Sequence, residues 1–481
     1  MERKAGVLMH ISSLPNRRGI GSLGKAAYEF VDFLADAKLS LWQVLPLCPT
    51  SYGDSPYQSP SALAGNPYFI DIDTLIAEKL LRPQDAKVYD VAPVDYAAVY
   101  FERFATLRKA FKRFIKAPPA DYESFKAENS FWLDDYATFM ALKEAHDMRA
   151  WESWEDGYKF RTADLSEFAE KGEFHKFLQY EFFKQWLALK AYANGKGVKI
   201  VGDMPIYVAY DSVEVWSSPK QFLLNDDLSR KVVAGVPPDY FSADGQLWGN
   251  PIYDWGYMRE HNYDWWVMRM SMALKLYDVV RIDHFRAFAD YYVIPADRTD
   301  ARVGEWLPGP GIELFDTIRT ALDDPEIIAE DLGELHDCVR ELVRQTGFPG
   351  MKIMQFAFDA DPYRNDFYYT NYPRNCVAYT GTHDNDTTRG WFAALPEHER
   401  ERVKSTLGYY GDEITATIID RLFSSQADTV IIPMQDYLDL DASARMNIPS
   451  TLGGNWAWRS NAVWTELTGR IRELVEKYGR E

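Results

Sequence analysis

Cysteine is scarce, with three residues in a chain of 481. Cys48, Cys338 and Cys376 form neither a Cys-x-x-Cys pair nor a framework, so no disulfide scaffold is expected and a reducing, cytoplasmic setting fits. Long apolar runs are also missing. No stretch approaches the roughly 18 consecutive apolar residues of a membrane span, and the apolar run near the N-terminus is too short for a signal peptide. Positive charge is in deficit, the formal net charge being −19, which disfavours nucleic acid or an anionic membrane as partner. Histidine is limited to eight residues, with no His-Glu-x-x-His and no closely spaced pair, so a catalytic metal is not expected even though His284, His383, Asp203, Asp283 and Asp384 are metal-ligand types. No internal repeat or low-complexity tract stands out.

One motif suggests a cofactor. Gly19-Ile-Gly21-Ser-Leu-Gly24 satisfies G-x-G-x-x-G between an apolar run and a helical pattern. A dinucleotide fingerprint needs its tight turn directly at the strand end, and here Ser12 to Arg18 intervene. The second apolar run also ends in Pro46-Leu-Cys-Pro49 rather than in an acid for a ribose. No cofactor is expected.

What is present is a series of eight short β-branched or apolar runs: Ala5–Ile11, Leu41–Leu47, Val198–Val201, Val279–Ile282, Ile327–Ala329, Met351–Phe356, Cys376–Tyr379 and Thr429–Met434. Helical patterns fall between several of them, as at Lys25–Lys38 and 334–345. Strand then helix, repeated to eight, predicts an α/β fold of the (β/α)8 TIM-barrel type. The whole of 1–481 reads as one catalytic barrel interrupted by insertions. About 53–195 is expected to be a mostly helical subdomain, on the patterns Phe101 to Phe114, Phe131 to Leu142 and Phe174 to Trp186, and about 205–275 a substrate-loop insertion. The basic residues Arg103, Arg108, Lys109, Lys112, Arg113 and Lys116 read as a solvated helix face opposite the phenylalanines. Too few residues follow the eighth run for a C-terminal β-sandwich domain.

Three runs end in carboxylates: Arg281-Ile-Asp283-His284, Ile327-Ile-Ala-Glu330-Asp331 and Ala378-Tyr-Thr-Gly-Thr-His383-Asp384. Strand ends of a parallel barrel converge on one rim, so these acids become neighbours. Gathered carboxylates suit glycosidic bond chemistry, which needs a nucleophile, a proton donor and stabilisation of a positively charged transition state. Arg281 stands two residues before Asp283, on the same side of the strand, and favours its ionised form, which makes Asp283 the nucleophile candidate. Glu330 follows an apolar stretch whose desolvation raises its pKa, as a general acid/base requires. Asp331 reads as a structural partner or helix cap. Aromatics amount to 15% of the chain, most of them expected in the core, and those beside the acids offer flat faces to sugar rings.

The motifs Gly53-Asp-Ser-Pro-Tyr57-Gln-Ser-Pro, Gly202-Asp203-Met-Pro-Ile-Tyr, Pro237-Pro-Asp-Tyr240, Trp248-Gly-Asn-Pro, Arg281-Ile-Asp283-His284-Phe-Arg, Ala329-Glu330-Asp331-Leu-Gly, Gly381-Thr-His383-Asp384-Asn-Asp and Gly454-Asn455-Trp-Ala-Trp-Arg run along nearly the whole length. Together they resemble the amylomaltases, 4-α-glucanotransferases of the α-amylase superfamily. The resemblance implies Asp283 as nucleophile, Glu330 as general acid/base and Asp384 as transition-state stabiliser. It makes Arg281 and His383 their partners, and Asp203, His284 and Tyr57 substrate contacts. Trp248 is implied on a mobile loop over the acceptor side, with Asn455 on a second loop facing it. Donor and acceptor would be α-1,4-glucans and malto-oligosaccharides, with no metal and no cofactor. Cys48, Ser51, Ala287 and Ser450 depart from the pattern where glycines are expected, which touches loop shape and no catalytic carboxylate.

The carboxylates alone leave transfer and hydrolysis open, since a hydrolase would use the same three. The segment from Pro237 to Pro251, with Tyr240 and Trp248, is expected to cover the intermediate and stack on the incoming sugar. The rival readings are a plain α-glucan hydrolase and, from another class, a non-catalytic glucan-binding protein, which has no need of the complete acid set.

Overall fold

A computed structural model describes residues 3–51, 53–89, 93–238, 243–333, 335–359, 361–461 and 464–481. Eight parallel strands form the central sheet: β1 (Lys4–Leu8), β2 (Leu41–Gln43), β3 (Lys199–Pro205), β4 (Val279–Asp283), β5 (Ile327–Ala329), β6 (Gly350–Ile353), β7 (Cys376–Tyr379) and β8 (Thr429–Pro433). They follow one another in sequence order around the sheet, with β8 pairing β1. The remaining seam, between β5 and β6, is bridged by the Ala329 N–H donating to the Pro349 carbonyl at 3.0 Å. The Asp331 carboxylate adds a second tie by accepting from the Met351 N–H at 2.7 Å. A Cβ on Gly350 would fall 2.3 Å from that carboxylate, so the seam requires glycine there. Asp331 is thus the structural partner that its place suggested, though its work is barrel closure rather than helix capping.

Strand alternation sorts the side chains. Val201, Val279, Ile328, Met351, Ile353, Val377, Tyr379 and Ile431 share the barrel interior with Leu8 and Leu41, while Ile200, Val280, Ile282, Ile327 and Ala329 pack outward against the helices. The same alternation places Asp203, Arg281, Asp283 and Glu330 on inward positions, the last two at the strand ends.

Between β2 and β3 the chain builds the helices Tyr96–Phe114, Asp121–Ala145 and Glu173–Gly195, the first capped by Asp95, whose side chain accepts from the Ala98 N–H. Along Tyr96–Phe114 the expected faces are partly reversed. Phe101 is 72% exposed and Arg103 is buried, because its guanidinium is needed inside: it donates to the Ile70 and Arg18 carbonyls. Arg108 and Arg113 pair with Glu144 and Asp85.

Beyond β3, the antiparallel strands Val232–Val236 and Gln246–Pro251 join Asp290–Pro295 and Glu305–Pro308, which follow β4, in a second, four-stranded sheet. This sheet overlies the β4 end of the rim. Among the described residues no strand follows Pro433, and the helix Thr465–Tyr478 packs back on the barrel wall.

The glycine motif serves packing. The Gly21 N–H donates to the Ser12 carbonyl, and a Cβ on Gly24 would lie 2.2 Å from an Asp71 carboxylate oxygen. An aspartate therefore sits at the helix start where a dinucleotide would need its phosphate.

Candidate active site

The site is built outward from a buried ion pair. Asp203 and Arg281 face each other in the β3/β4 register, and the guanidinium Nη1 donates to both Asp203 oxygens at 2.7 Å. Their side chains are 0% and 5% exposed, so each charge depends on the other to offset desolvation. The Arg281 Nη2 reaches Asp283 Oδ1 at 3.2 Å, and Nε lies 3.3 Å from the Met351 sulfur. The Tyr57 hydroxyl donates to the remaining side of Asp203 at 2.8 Å. Arg281 thereby carries an orientation from inside the barrel to the Asp283 carboxylate at its mouth.

Just past β4 the chain makes a left-handed turn at His284 (φ 53°), a conformation that a non-glycine residue adopts only when its surroundings compensate. The turn aims the His284 N–H at Glu330 Oε2, at 2.7 Å, and the Leu332 N–H reaches Oε1 at 3.2 Å. The Glu330 backbone closes the junction, its N–H donating to the Ile282 carbonyl and its carbonyl accepting from the Phe285 N–H. Adjacent strand ends thus present Asp283 and Glu330 side by side.

Burial pushes the Asp283 carboxyl up to about 7; Arg281 acts the other way but is outweighed, and the charges of Asp203 and Asp384 reinforce the rise. Burial also lifts Glu330 to about 7, and the Asp283 charge adds to it. The arginine therefore favours the Asp283 carboxylate, as its spacing implied, without holding its pKa in the ordinary range. With both carboxyls raised by burial and the Asp283 charge raising Glu330 further, the half-protonated pair offers one carboxylate and one acid.

Asp384 is placed differently. It lies past β7 with its side chain 48% exposed and its Oδ1 3.4 Å from His383 Nε2. Asn447 Nδ2 donates to the same oxygen at 2.6 Å, and Arg445 Nη2 donates to the Asp384 carbonyl at 2.7 Å. The His383 ring stacks on Tyr57 at 5.2 Å, with Trp456 against both. Beneath them His10 accepts the Leu45 N–H at Nδ1, and burial holds its pKa down at about 3.

On the opposite side Trp248 stands edge-on to the His284 ring at 4.7 Å, its indole N–H donating to Gln246 Oε1. Burial keeps His284 neutral, with its pKa down at about 3. Trp248 belongs to a strand, Gln246–Pro251, rather than to a loop, because its neighbour Leu247 pairs with Gly235. Tyr240 lies outside the described residues. Asn455 turns into its own loop: Oδ1 accepts from the Ile448 N–H and Nδ2 donates to Thr451.

The structure therefore brings together Tyr57, Asp203, Arg281, Asp283, His284, Glu330, His383, Asp384 and Trp248. It adds Asn447, Met351, Trp456 and His10, which sequence reasoning did not single out. Of these, Trp456 carried a signal, standing within the motif Gly454-Asn455-Trp-Ala-Trp-Arg.

Comparisons with known proteins give the family. The model of the 4-alpha-glucanotransferase family matches residues 9–465. A 4-alpha-glucanotransferase of Clostridium butyricum is 48% identical over 98% of this chain and 100% of its own, and one from Thermus thermophilus is 44% identical over 99% of both. Among solved structures, the amylomaltase from Streptococcus agalactiae in complex with acarbose superposes with a TM-score of 0.96 at 43% identity, over 100% of each chain. A 4-alpha-glucanotransferase family match across nearly the whole chain, on a barrel whose rim gathers these carboxylates, identifies the chain as a member of that family.

Proposed function

We propose that Asp283, Glu330 and Asp384 divide the work of a retaining 4-α-glucanotransferase. Protonated Glu330 gives its proton to the glycosidic oxygen as the Asp283 carboxylate attacks the anomeric carbon, forming a covalent glucosyl-enzyme and releasing the reducing-side fragment. Asp384, across the site, offsets the positive charge that develops on the ring. An acceptor glucose or malto-oligosaccharide then enters, Glu330 takes the proton from its 4-hydroxyl, and the α-1,4 bond is remade with the original configuration. Tyr57, Asp203, Arg281, His284 and His383 orient the acids and the sugar between them, with Trp248 and Asn455 on the acceptor side. Tyr240 is assigned to the acceptor side on its motif alone. The cytoplasm is the compartment that three free cysteines favour.

The observation that carries this reading is the coupled pair. Asp283 and Glu330 stand on neighbouring strand ends, one against a guanidinium and the other under two backbone N–H groups. Incubation with maltotriose tests it: disproportionation produces both glucose and chains longer than the substrate. Products no longer than maltotriose would identify a hydrolase.

A further inference from the structure

The segments that leave β4 and β5 meet again outside the rim. Asp290 opens the strand Asp290–Pro295, a short way past Asp283, and His336 and Cys338 stand at the start of the helix Asp337–Thr346, a short way past Glu330. The Asp290 side chain is 11% exposed and the His336 side chain 40%. One Asp290 oxygen accepts from Arg286 Nη2 at 2.8 Å, and the other bonds His336 Nδ1. The donor atoms of Asp290, His336 and Cys338 all lie within 4.8 Å of one another.

The surroundings preset this group. Arg286 lies over the Trp306 ring at 4.1 Å, and Trp306 meets the His336 ring edge-on at 5.0 Å. The guanidinium holds Asp290 Oδ1 in place and turns Oδ2 toward the imidazole, in the way that outer partners orient a ligating carboxylate, and its Nη2 also lies 3.4 Å from His336 Nδ1, a contact that the ion would displace.

We infer that Asp290 Oδ2, His336 Nδ1 and Cys338 Sγ form a site for one zinc-class divalent cation, outside the catalytic rim. A carboxylate oxygen, an imidazole nitrogen and a thiolate together match zinc, cadmium or cobalt, whereas magnesium and calcium require oxygen donors. Tetrahedral coordination needs ligand atoms about 3.3 to 3.8 Å apart. Asp290 Oδ2 and His336 Nδ1, now in direct hydrogen bond, part to admit the ion, the half-exposed His336 and exposed Cys338 side chains moving while buried Asp290 stays fixed. Binding replaces the Nδ1–H···Oδ2 hydrogen bond by two metal bonds: the imidazole proton moves from Nδ1 to Nε2, the Cys338 thiol proton leaves to solvent, and solvent fills the fourth position. The ion would join the segments leading away from Asp283 and Glu330 without touching either acid.

The test is a cadmium titration of the full chain after chelator treatment, followed by ultraviolet thiolate-to-metal charge-transfer absorption. One equivalent should produce the band in the wild type. Cys338→Ser and Cys338→Ala should abolish it, although both retain Cys48 and Cys376. His336→Ala should weaken binding at least tenfold, zinc should displace cadmium, and a hundredfold excess of magnesium should not. Maltotriose disproportionation by metal-free Cys338→Ser should remain at the wild-type rate, which separates this site from the catalytic reading. A wild type without the band, a band that survives in both Cys338 variants, or unchanged affinity in His336→Ala would overturn the inference.

Discussion

The acids on β4 and β5 and the acid beyond β7 are held by different kinds of structure. Asp283 and Glu330 are positioned by the paired ends of β4 and β5: an arginine two residues back for one, and the backbone N–H groups of His284, at the β4 end, and of Leu332 for the other. Asp384 is half exposed and takes its orientation from Asn447, on a distant segment whose next turn is tied together by Asn455. Barrel pairing thus presets the pair proposed to break and remake the bond. Asp384, proposed to stabilise developing charge, depends on a loop for its orientation. On the proposed roles, bond chemistry belongs to the barrel and the choice of acceptor to the loops around it.

The largest effect should come from the barrel side. Asp283→Asn is expected to lower kcat for maltotriose disproportionation by about 10⁴-fold or more, as loss of a nucleophile does, and Glu330→Gln by about 10³-fold. A donor whose leaving group needs no proton should restore much of the Glu330→Gln loss and none of the Asp283→Asn loss; equal rescue would erase the distinction between them. On the loop side, Asn447→Ala removes one hydrogen bond to a charged oxygen, worth about 1.5 to 3 kcal/mol. Steady-state kinetics should show kcat down about 10- to 100-fold with KM little changed. A loss below twofold would mean that Asp384 holds its own orientation.

Trp248→Ala should shift the partition of the intermediate, raising hydrolysis relative to transfer by about fivefold through access of water. Product analysis with maltotriose reads the ratio directly, and an unchanged ratio removes Trp248 from the choice of acceptor. A further effect concerns stability. Asp283 and Glu330 titrate near 7 in the folded chain and near about 4 when unfolded. The native state therefore binds more protons between those values, and stability falls as pH rises from about 4 to about 7. Denaturant midpoints measured across that window should decline in the wild type, and less steeply in Asp283→Asn/Glu330→Gln.

Legibility in the sequence followed the same division. β5 and β7 begin and end where their apolar runs do, because each run stops at a charged residue or a turn. β1 and β2 are shorter than their runs, which extend through Ile11 and Leu47: those residues are buried after the chain has left the sheet, and an apolar run reports burial rather than pairing. The four-stranded sheet escaped notice because Asp290–Pro295 follows β4 through a single short turn, and its partners Val232–Val236 and Gln246–Pro251 lie before β4 in the chain. Asp283 was readable because Arg281, two residues back, places it, and Glu330 because it ends an apolar strand, although one of its two donors, His284, lies 46 residues away. Asn447 was not, since its contact with Asp384 spans 63 residues. Phe101 and Arg103 exchanged places for a similar reason, the arginine's carbonyl partners lying outside its helix.

The central claim, that Asp283 forms the covalent intermediate while Glu330 handles the proton, is tested most directly by trapping. Glu330→Gln mixed with α-maltosyl fluoride, whose fluoride leaves without protonation, should accumulate a maltosyl adduct, and peptide mass mapping should place it on Asp283. An adduct on Asp384, on another residue, or no adduct while fluoride is released would contradict the account.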